Sequence, residues 1–228
     1  MIDNSLIFDL GAYNGDTLKT YIDNYKIIAV ECNPKLVNKL NSKYKDYESL
    51  IVVNKCISDT DNTIQDFYIS DHLVWSSANQ KISERIVPSK EIVKVSTVTL
   101  KTLIEQYGSP VYCKIDIEGS DILAIKSLNT LPYEQLPKVI SCETECLGNE
   151  NPHEVTGTEI LDYLHSLGYD NFFLASGDKL INFDPQEMEK YPWRSYIDTR
   201  IKLKSIRASH DFTDPWSFWW DVYAMRED

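Results

Sequence analysis

Two short segments concentrate carboxylates. "KIDIEG" carries Asp116 and Glu118, and "CETE" carries Glu143 and Glu145. Each closes an apolar run that reads as a strand, so adjacent parallel strands would bring the acids to one rim. Asp116 and Glu118 share a face if their strand runs through both. Three kinds of chemistry are open to such a group. A carboxylate can orient a substrate hydroxyl or accept its proton, although an acid of ordinary pKa is a weak base for an alcohol and crowding would have to raise it. Two or three carboxylates can bind Mg²⁺ or Ca²⁺, which would lower the hydroxyl's pKa and position it. The acids can also hold a cationic group, or start a helix, as Glu118 could for "SDILAIKSL". Direct orientation of a hydroxyl is the favoured reading, and a divalent metal is not.

A second feature lies near the N-terminus. "FDLGAYNGDT" runs an apolar strand into a loop with Gly11 and Gly15, followed by helix-like sequence. A strand, a glycine turn and a helix start present backbone N–H groups to a ligand. Gly11 allows unusual backbone angles and Gly15 close approach. Glu31 ends the next strand, where a carboxylate can accept hydrogen bonds from two ribose hydroxyls. The loop is G-x-x-x-G, with Tyr13 in place of the middle glycine of the dinucleotide fingerprint. Asp9 and Asp16 add negative charge beside it. That suits a cationic adenosyl ligand such as S-adenosylmethionine better than a pyrophosphate.

Other residues carry weaker signals. Cys142, Cys146 and His153 fall close together with two glutamates between, but no C-x-x-C pair supports zinc. His153 sits where an active-site loop belongs, as either a general base or a loop residue. His72, Trp75, Ser76 and Ser77 could touch adenine or substrate, and Trp75 could equally anchor packing. Trp193, Tyr196, Trp216, Phe218, Trp219, Trp220 and Tyr223 could offer stacking faces to a ring, or pack a last strand. His210 has no assigned role.

The elements that must hold these residues alternate. "SLIFDL", "KIIAVE" and "SLIVVNKCIS" read as strands, separated by helices in "DTLKTYIDNY" and "NPKLVNKLNSKY". In the first helix Leu18, Tyr21, Ile22 and Tyr25 share a face; Asn33 caps the second and Pro34 opens it. Residues 59–98 break the rhythm with two strands, "TIQDFYIS" and "EIVKVSTVT". It then resumes with helices in "LKTLIEQYG", "SDILAIKSL" and "TGTEILDYLHSLG", and strands in "PVYCKIDIEG", "LPKVISCETE" and "YDNFFLAS". "WWDVYAMR" reads as a final strand. The pattern predicts an α/β fold with helices on the faces of a mostly parallel sheet, in one domain spanning 1–228 with a β-rich insert at 59–98. The aromatic region 177–228 would complete the sheet or the substrate side.

Bulk properties narrow the function. The 228 residues carry a formal net charge of -12, a field that repels nucleic acid and anionic membranes. No apolar stretch approaches the ~18 residues of a membrane span, and nothing at the N-terminus reads as a signal peptide. Cys32, Cys56, Cys113 and Cys142 lie in or beside apolar runs and read as buried reduced thiols of a cytoplasmic protein.

The segments "FDLGAYNGDT", "VECNP", "VNKCISD", "WSSA", "KIDIEGSDILAIKSL" and "VISCETE" occur in the order found in the FkbM-type S-adenosylmethionine-dependent methyltransferases, and over roughly residues 5–145 the chain resembles that family. The resemblance implies a Rossmann-like class I methyltransferase fold: seven strands, mostly parallel, the last antiparallel. It implies Asp9, Gly11 and Gly15 around the methionine part of the cofactor and Glu31 on the ribose, with Tyr13, Asn14, Thr17, Cys32, Asn33 and Asp116 as further cofactor-binding candidates. By position, Cys56, Ile57 and Ser58 line the adenine side. Asp116, Glu118 and Glu143 become the catalytic candidates. The resemblance further implies O-methylation of a small molecule or carbohydrate. Family members often have Asn where Tyr13 stands; Asn14 follows it. Many carry an N-terminal extension, so a lid here would come from 59–98 or the C-terminal region. Two rival readings are a nucleotide-dependent oxidoreductase, against which the absent middle glycine speaks, and a non-catalytic cofactor-binding protein, against which the retained acids speak. Oligomeric state stays open.

Overall fold

The segment "LIFDL" is buried at every position, which is what a central strand covered on both faces requires. In the computed structural model, which describes residues 5–84, 87–144, 157–176, 183–209 and 220–227, it forms β1 (Leu6–Leu10). β2 (Lys26–Val30) and β7 (Tyr112–Ile115) pair with it in parallel on either side. Outward from β2 lies β3 (Leu50–Val53); outward from β7 lie β8 (Val139–Thr144), β11 (Trp220–Arg226), β9 (Tyr169–Ser176) and β10 (Arg194–Ser195). β11 runs antiparallel to both β8 and β9. The chain leaves β1 for β2 in one direction and returns to β7 in the other, so the carboxyl end of β1 is a topological switch point, where open α/β sheets bind ligands.

The expected α/β sheet is present with eight strands rather than seven. The extra strand, β10, is two exposed residues at the edge of β9. A larger departure lies in "SLIVVNKCIS". It divides at Asn54 and Lys55, and β4 (Cys56–Ile57) leaves the large sheet to pair with β6 (Glu91–Val98). With β5 (Ile64–Ile69) they form a small three-stranded sheet that contains the insert.

Helices cover both faces. α1 (Leu18–Tyr21) is a single turn, shorter than expected, although Leu18, Tyr21, Ile22 and Tyr25 are all buried as predicted. α2 (Pro34–Lys43) begins with the Asn33 side chain accepting from the Lys35 N–H, and Pro34 at its first position. α3 (Gln80–Ser83) lies in the insert. α4 (Leu100–Tyr107), α5 (Asp121–Lys126) and α6 (Gly157–Ser166) pack their apolar residues into one core with Phe8, Leu10 and Ile140. α7 (Tyr196–Ser209) has no counterpart in the sequence reading. Its apolar residues form no continuous stripe; what ties it down is Asp162 on α6, which accepts from Arg200 at 2.7 and 2.9 Å and from the Tyr196 hydroxyl at 2.8 Å. Among the described residues, no helix is long and apolar enough to cross a membrane.

The cysteines need one correction. Cys113 and Cys142 are buried free thiols, as expected. Cys32 and Cys56 are joined as a disulfide, their Cα atoms 4.6 Å apart. In the sequence Cys32 follows one strand-like run and Cys56 lies within another; the break after β3, which starts β4 at Cys56, brings the two together.

Candidate active site

The loop after β1 is shaped by what crosses it. Gly11 has φ +90°, and a Cβ there would lie 1.9 Å from the carbonyl oxygen of Asp116. The first glycine is therefore needed so that the loop can pass the backbone leaving β7. Gly15 has φ +77°, and a Cβ would meet Leu40 and Tyr44 of the α2 region at 2.7 and 2.8 Å. Its small size serves helix packing rather than the approach of a ligand. Between them Tyr13 adopts φ +48°. Its N–H donates to Glu31 Oε2 at 2.8 Å, and the Asn33 N–H donates to Oε1 at 2.7 Å. Glu31 is thus fixed by two backbone donors, with a lone pair of each oxygen left for another partner. Burial pushes its pKa up to about 7 despite those bonds.

These residues form one wall of a half-open cleft with a cavity volume of about 170 Å³. Gly11, Tyr13, Glu31, Cys32, Cys56 and Ile57 line it, and Asp116 and Glu118 stand at the same cleft. Leu36, Phe67, Leu73 and Val74 supply apolar surface. The other cofactor candidates take supporting places. Asn14 is exposed and accepts from the Asp16 N–H, Gly15 accepts from the Tyr44 hydroxyl, and Asn33 caps α2. Thr17 precedes α1 without a side-chain cap bond, and Ser58 is buried beside Asp59. Asp16 pairs with Lys19 at the surface, 2.5 Å away. Asp9 is 1 % exposed, and neither of its oxygens has a hydrogen-bond partner. The nearby cation is Lys114, whose Nζ lies 3.9 Å from Asp9 Oδ1.

β7 ends at Ile115, so strand alternation does not orient Asp116 and Glu118. A turn does. Glu118 adopts φ +51°, and its carbonyl accepts from the Ser77 hydroxyl of the insert at 2.7 Å. The helix-start acid is Asp121, which accepts from the Gly119 and Ile117 N–H groups at 3.0 and 3.3 Å. With the turn so held, Asp116, Glu118 and Glu143 each offer an oxygen within 4.8 Å of the others, close enough to share a cation. Glu143 lies opposite Asp221 in the β8–β11 pair. Burial, then Asp116, Glu118, Asp121 and Asp221, push the Glu143 carboxyl well above the usual range. Burial and Asp116 raise Asp221 to about 7, and the same two causes raise Asp121 to about 6.

Sequence reasoning missed Lys114, Asp121 and Asp221. Lys114 donates to Asp116 Oδ2 at 2.8 Å, and Asp116 and Asp9 together outweigh its burial and hold it charged. It stands in "KIDIEG" itself, and a cation one strand period before an acid was the available signal. Asp221 could not be placed without knowing which strand β11 joins. The Trp75 ring lies tilted against the exposed His72, with ring centroids 4.5 Å apart, while Ser76 reaches the cleft. Tyr223, Phe173, Phe183, Tyr191 and Trp193 pack against one another on the sheet face as core, whereas Tyr196 stacks on His165 and Trp220 is partly exposed at the start of β11. Glu145, Cys146, His153, His210, Trp216, Phe218 and Trp219 lie outside the described residues.

A mostly parallel sheet with a glycine loop and a strand-end glutamate at its switch point defines an open α/β fold with a ligand cleft. Residues 9–170 match the methyltransferase FkbM domain model, and the chain belongs to that family. No curated protein matches its sequence. Among solved structures, the precorrin-6y C5,15-methyltransferase of Geobacter metallireducens is 11 % identical, with 100 % of this chain and 82 % of that one covered and a TM-score of 0.44. Phosphoethanolamine N-methyltransferase 2 of Haemonchus contortus, solved with S-adenosyl-L-methionine, is 10 % identical over 100 % of this chain and 50 % of that one, at a TM-score of 0.49. Fibrillarin of Aeropyrum pernix, solved with natively bound S-adenosyl-L-methionine, is 10 % identical over 98 % and 67 %, at 0.46.

Proposed function

We propose that this chain is an S-adenosylmethionine-dependent methyltransferase acting on a hydroxyl oxygen of a small molecule or carbohydrate. The observation that carries the reading is the cleft itself, which runs from the doubly held Glu31 to the carboxylates of Asp116 and Glu118. The cleft fits the cofactor in three respects. Glu31 has acceptor capacity for ribose hydroxyls, Ile57, Phe67, Leu73 and Val74 suit an adenine ring, and Asp9 is a buried acid without a hydrogen-bond partner. When bound, the cofactor supplies an electrophilic methyl group.

The remaining work belongs to the chain's own residues. Methyl transfer is an in-line displacement, so its main requirement is an acceptor oxygen held in register with the methyl group. Asp116, fixed by Lys114, orients the acceptor hydroxyl. Glu143, whose raised pKa makes it a stronger base than an ordinary carboxylate, takes the hydroxyl proton as the bond forms. The -12 net charge favours a small acceptor over a nucleic acid. The test is transfer of labelled methyl from the cofactor to a panel of sugar and small-molecule alcohols, with amine counterparts alongside. Transfer to alcohols supports the reading; transfer confined to amines removes the oxygen assignment, and no binding of S-adenosylhomocysteine removes the cofactor.

A further inference from the structure

The cleft wall contains a group the methyl-transfer reading does not use. Cys32 follows Glu31 directly, and Cys56 begins β4; both face the cleft and they are bonded to each other. Cys56 is 3 % exposed and packs among Phe67, Ile69 and Val95 of the small sheet, whereas Cys32 is only partly buried. The chain leaves the large sheet at Val53, and the Asn54 side chain donates to the carbonyls of Glu31 and Cys32 at 2.9 and 3.0 Å. The disulfide is therefore a covalent tie, in the wall of the cleft, between the segment that carries Glu31 and the strand that carries Ile57.

We propose that Cys32–Cys56 is a reversible thiol–disulfide site whose substrate is a low-molecular-weight thiol entering by the cleft, and that its redox state sets cofactor affinity. The proposal rests on the cofactor reading above. A thiolate attacks the more accessible Cys32 sulfur, the S–S bond breaks, and Cys56 leaves as a thiolate that takes a proton from solvent. A second small thiol then attacks the mixed disulfide, releasing the small-molecule disulfide and leaving Cys32 as a thiol. Two small thiols are oxidised as the protein disulfide is reduced, so atoms and electrons balance. Two unbonded sulfurs need more room than two bonded ones. Reduction therefore moves the Glu31 loop or turns a thiol into the cleft, and the preorganised site is lost. The disulfide form binds cofactor more tightly. By linkage, bound cofactor in turn protects the disulfide from reduction.

The test measures S-adenosylhomocysteine affinity by titration calorimetry on the full chain before and after dithiothreitol. Alkylation and mass spectrometry report Cys32 and Cys56, and circular dichroism reports folding. The expected result is affinity about tenfold weaker on reduction, with saturating ligand lowering the midpoint potential in glutathione buffers by about 30 mV, the equivalent of tenfold for a two-electron couple. The C32S/C56S variant should bind like the reduced protein in either buffer. Equal affinity of the two forms, or failure of oxidised glutathione to pair the cysteines, overturns this proposal alone. Absence of binding by both forms overturns the cofactor reading with it.

Discussion

Glu31 and Glu143 are both glutamates at the carboxyl side of parallel strands, and both are crowded away from water. Glu31 has local company: the N–H groups of Tyr13 and Asn33, one on each oxygen. Glu143 has Asp116, Glu118, Asp121 and Asp221 around it, and every one of them raises its pKa. At the first, backbone donors only partly offset the burial that raises the carboxyl. The second resists charge and makes proton acceptance more favourable. Both carboxyls are thus raised, one against the pull of backbone donors and the other by neighbouring acids as well as burial, and the Gly11 loop crossing the Asp116 carbonyl joins the two regions.

The comparison can be broken most severely at the point where the two regions touch. Gly11→Val would drive a side chain into the Asp116 carbonyl at a left-handed backbone position, so calorimetry should show no cofactor binding, together with a lower melting temperature. Unchanged affinity would remove the loop from the cofactor site. At the rim alone, Asp116→Asn should lower methyl transfer by about 10²–10⁴-fold while leaving S-adenosylhomocysteine affinity within a few-fold; full activity would remove Asp116 from the mechanism. At the ribose wall alone, Glu31→Ala should weaken binding by about 10–100-fold, the worth of hydrogen bonds to a charged group.

The acids also predict a pH response. Glu31 and Asp221 titrate near 7 and Asp121 near 6 in the fold, above the ordinary values of 4.5, 3.8 and 3.8. Raised carboxyls bind protons more readily folded than unfolded, so their penalty is complete above about pH 7 and is relieved as pH falls toward about 4. Melting temperature should rise by about 5 °C between pH 8 and 5.5, and a fall over that window would contradict these assignments. The hydrogen bond from Arg200 holds the Asp162 carboxyl below its usual range, so it does not oppose the trend there. The smallest effect should come from Ser77→Ala, which removes one hydrogen bond to the Glu118 carbonyl and should cost about 1 kcal/mol in denaturant unfolding.

The wall of the cleft around Glu31 was legible because it is local. A strand, a glycine turn, a helix cap and a strand-end acid lie within about two dozen residues and follow from spacing. The rim was only half legible. Its acids could be named from two strand ends, but their meeting depends on a turn at Glu118 and on β11 settling between β8 and β9. Asp221 became a neighbour of Glu143 through a pairing that no local pattern announces. Lys114 was overlooked because a lysine inside a strand reads as edge or solvent, whereas here two carboxylates hold it. The helix α7 stayed hidden for the same reason as Asp221: its anchor, Asp162, belongs to another element.

Tyr13 and Glu118 are two large side chains in left-handed backbone, each beside the cleft. Such a conformation costs L-residues about 1–2 kcal/mol apiece, which glycine avoids and asparagine tolerates better. That makes each position a meter of selection. A chain freed from turnover would gain stability by drifting to glycine at 118, and a thermostability screen without an activity requirement should recover that change early. The same screen run under selection for methyl transfer should reject it, and the contrast would record what the carboxylate is kept for.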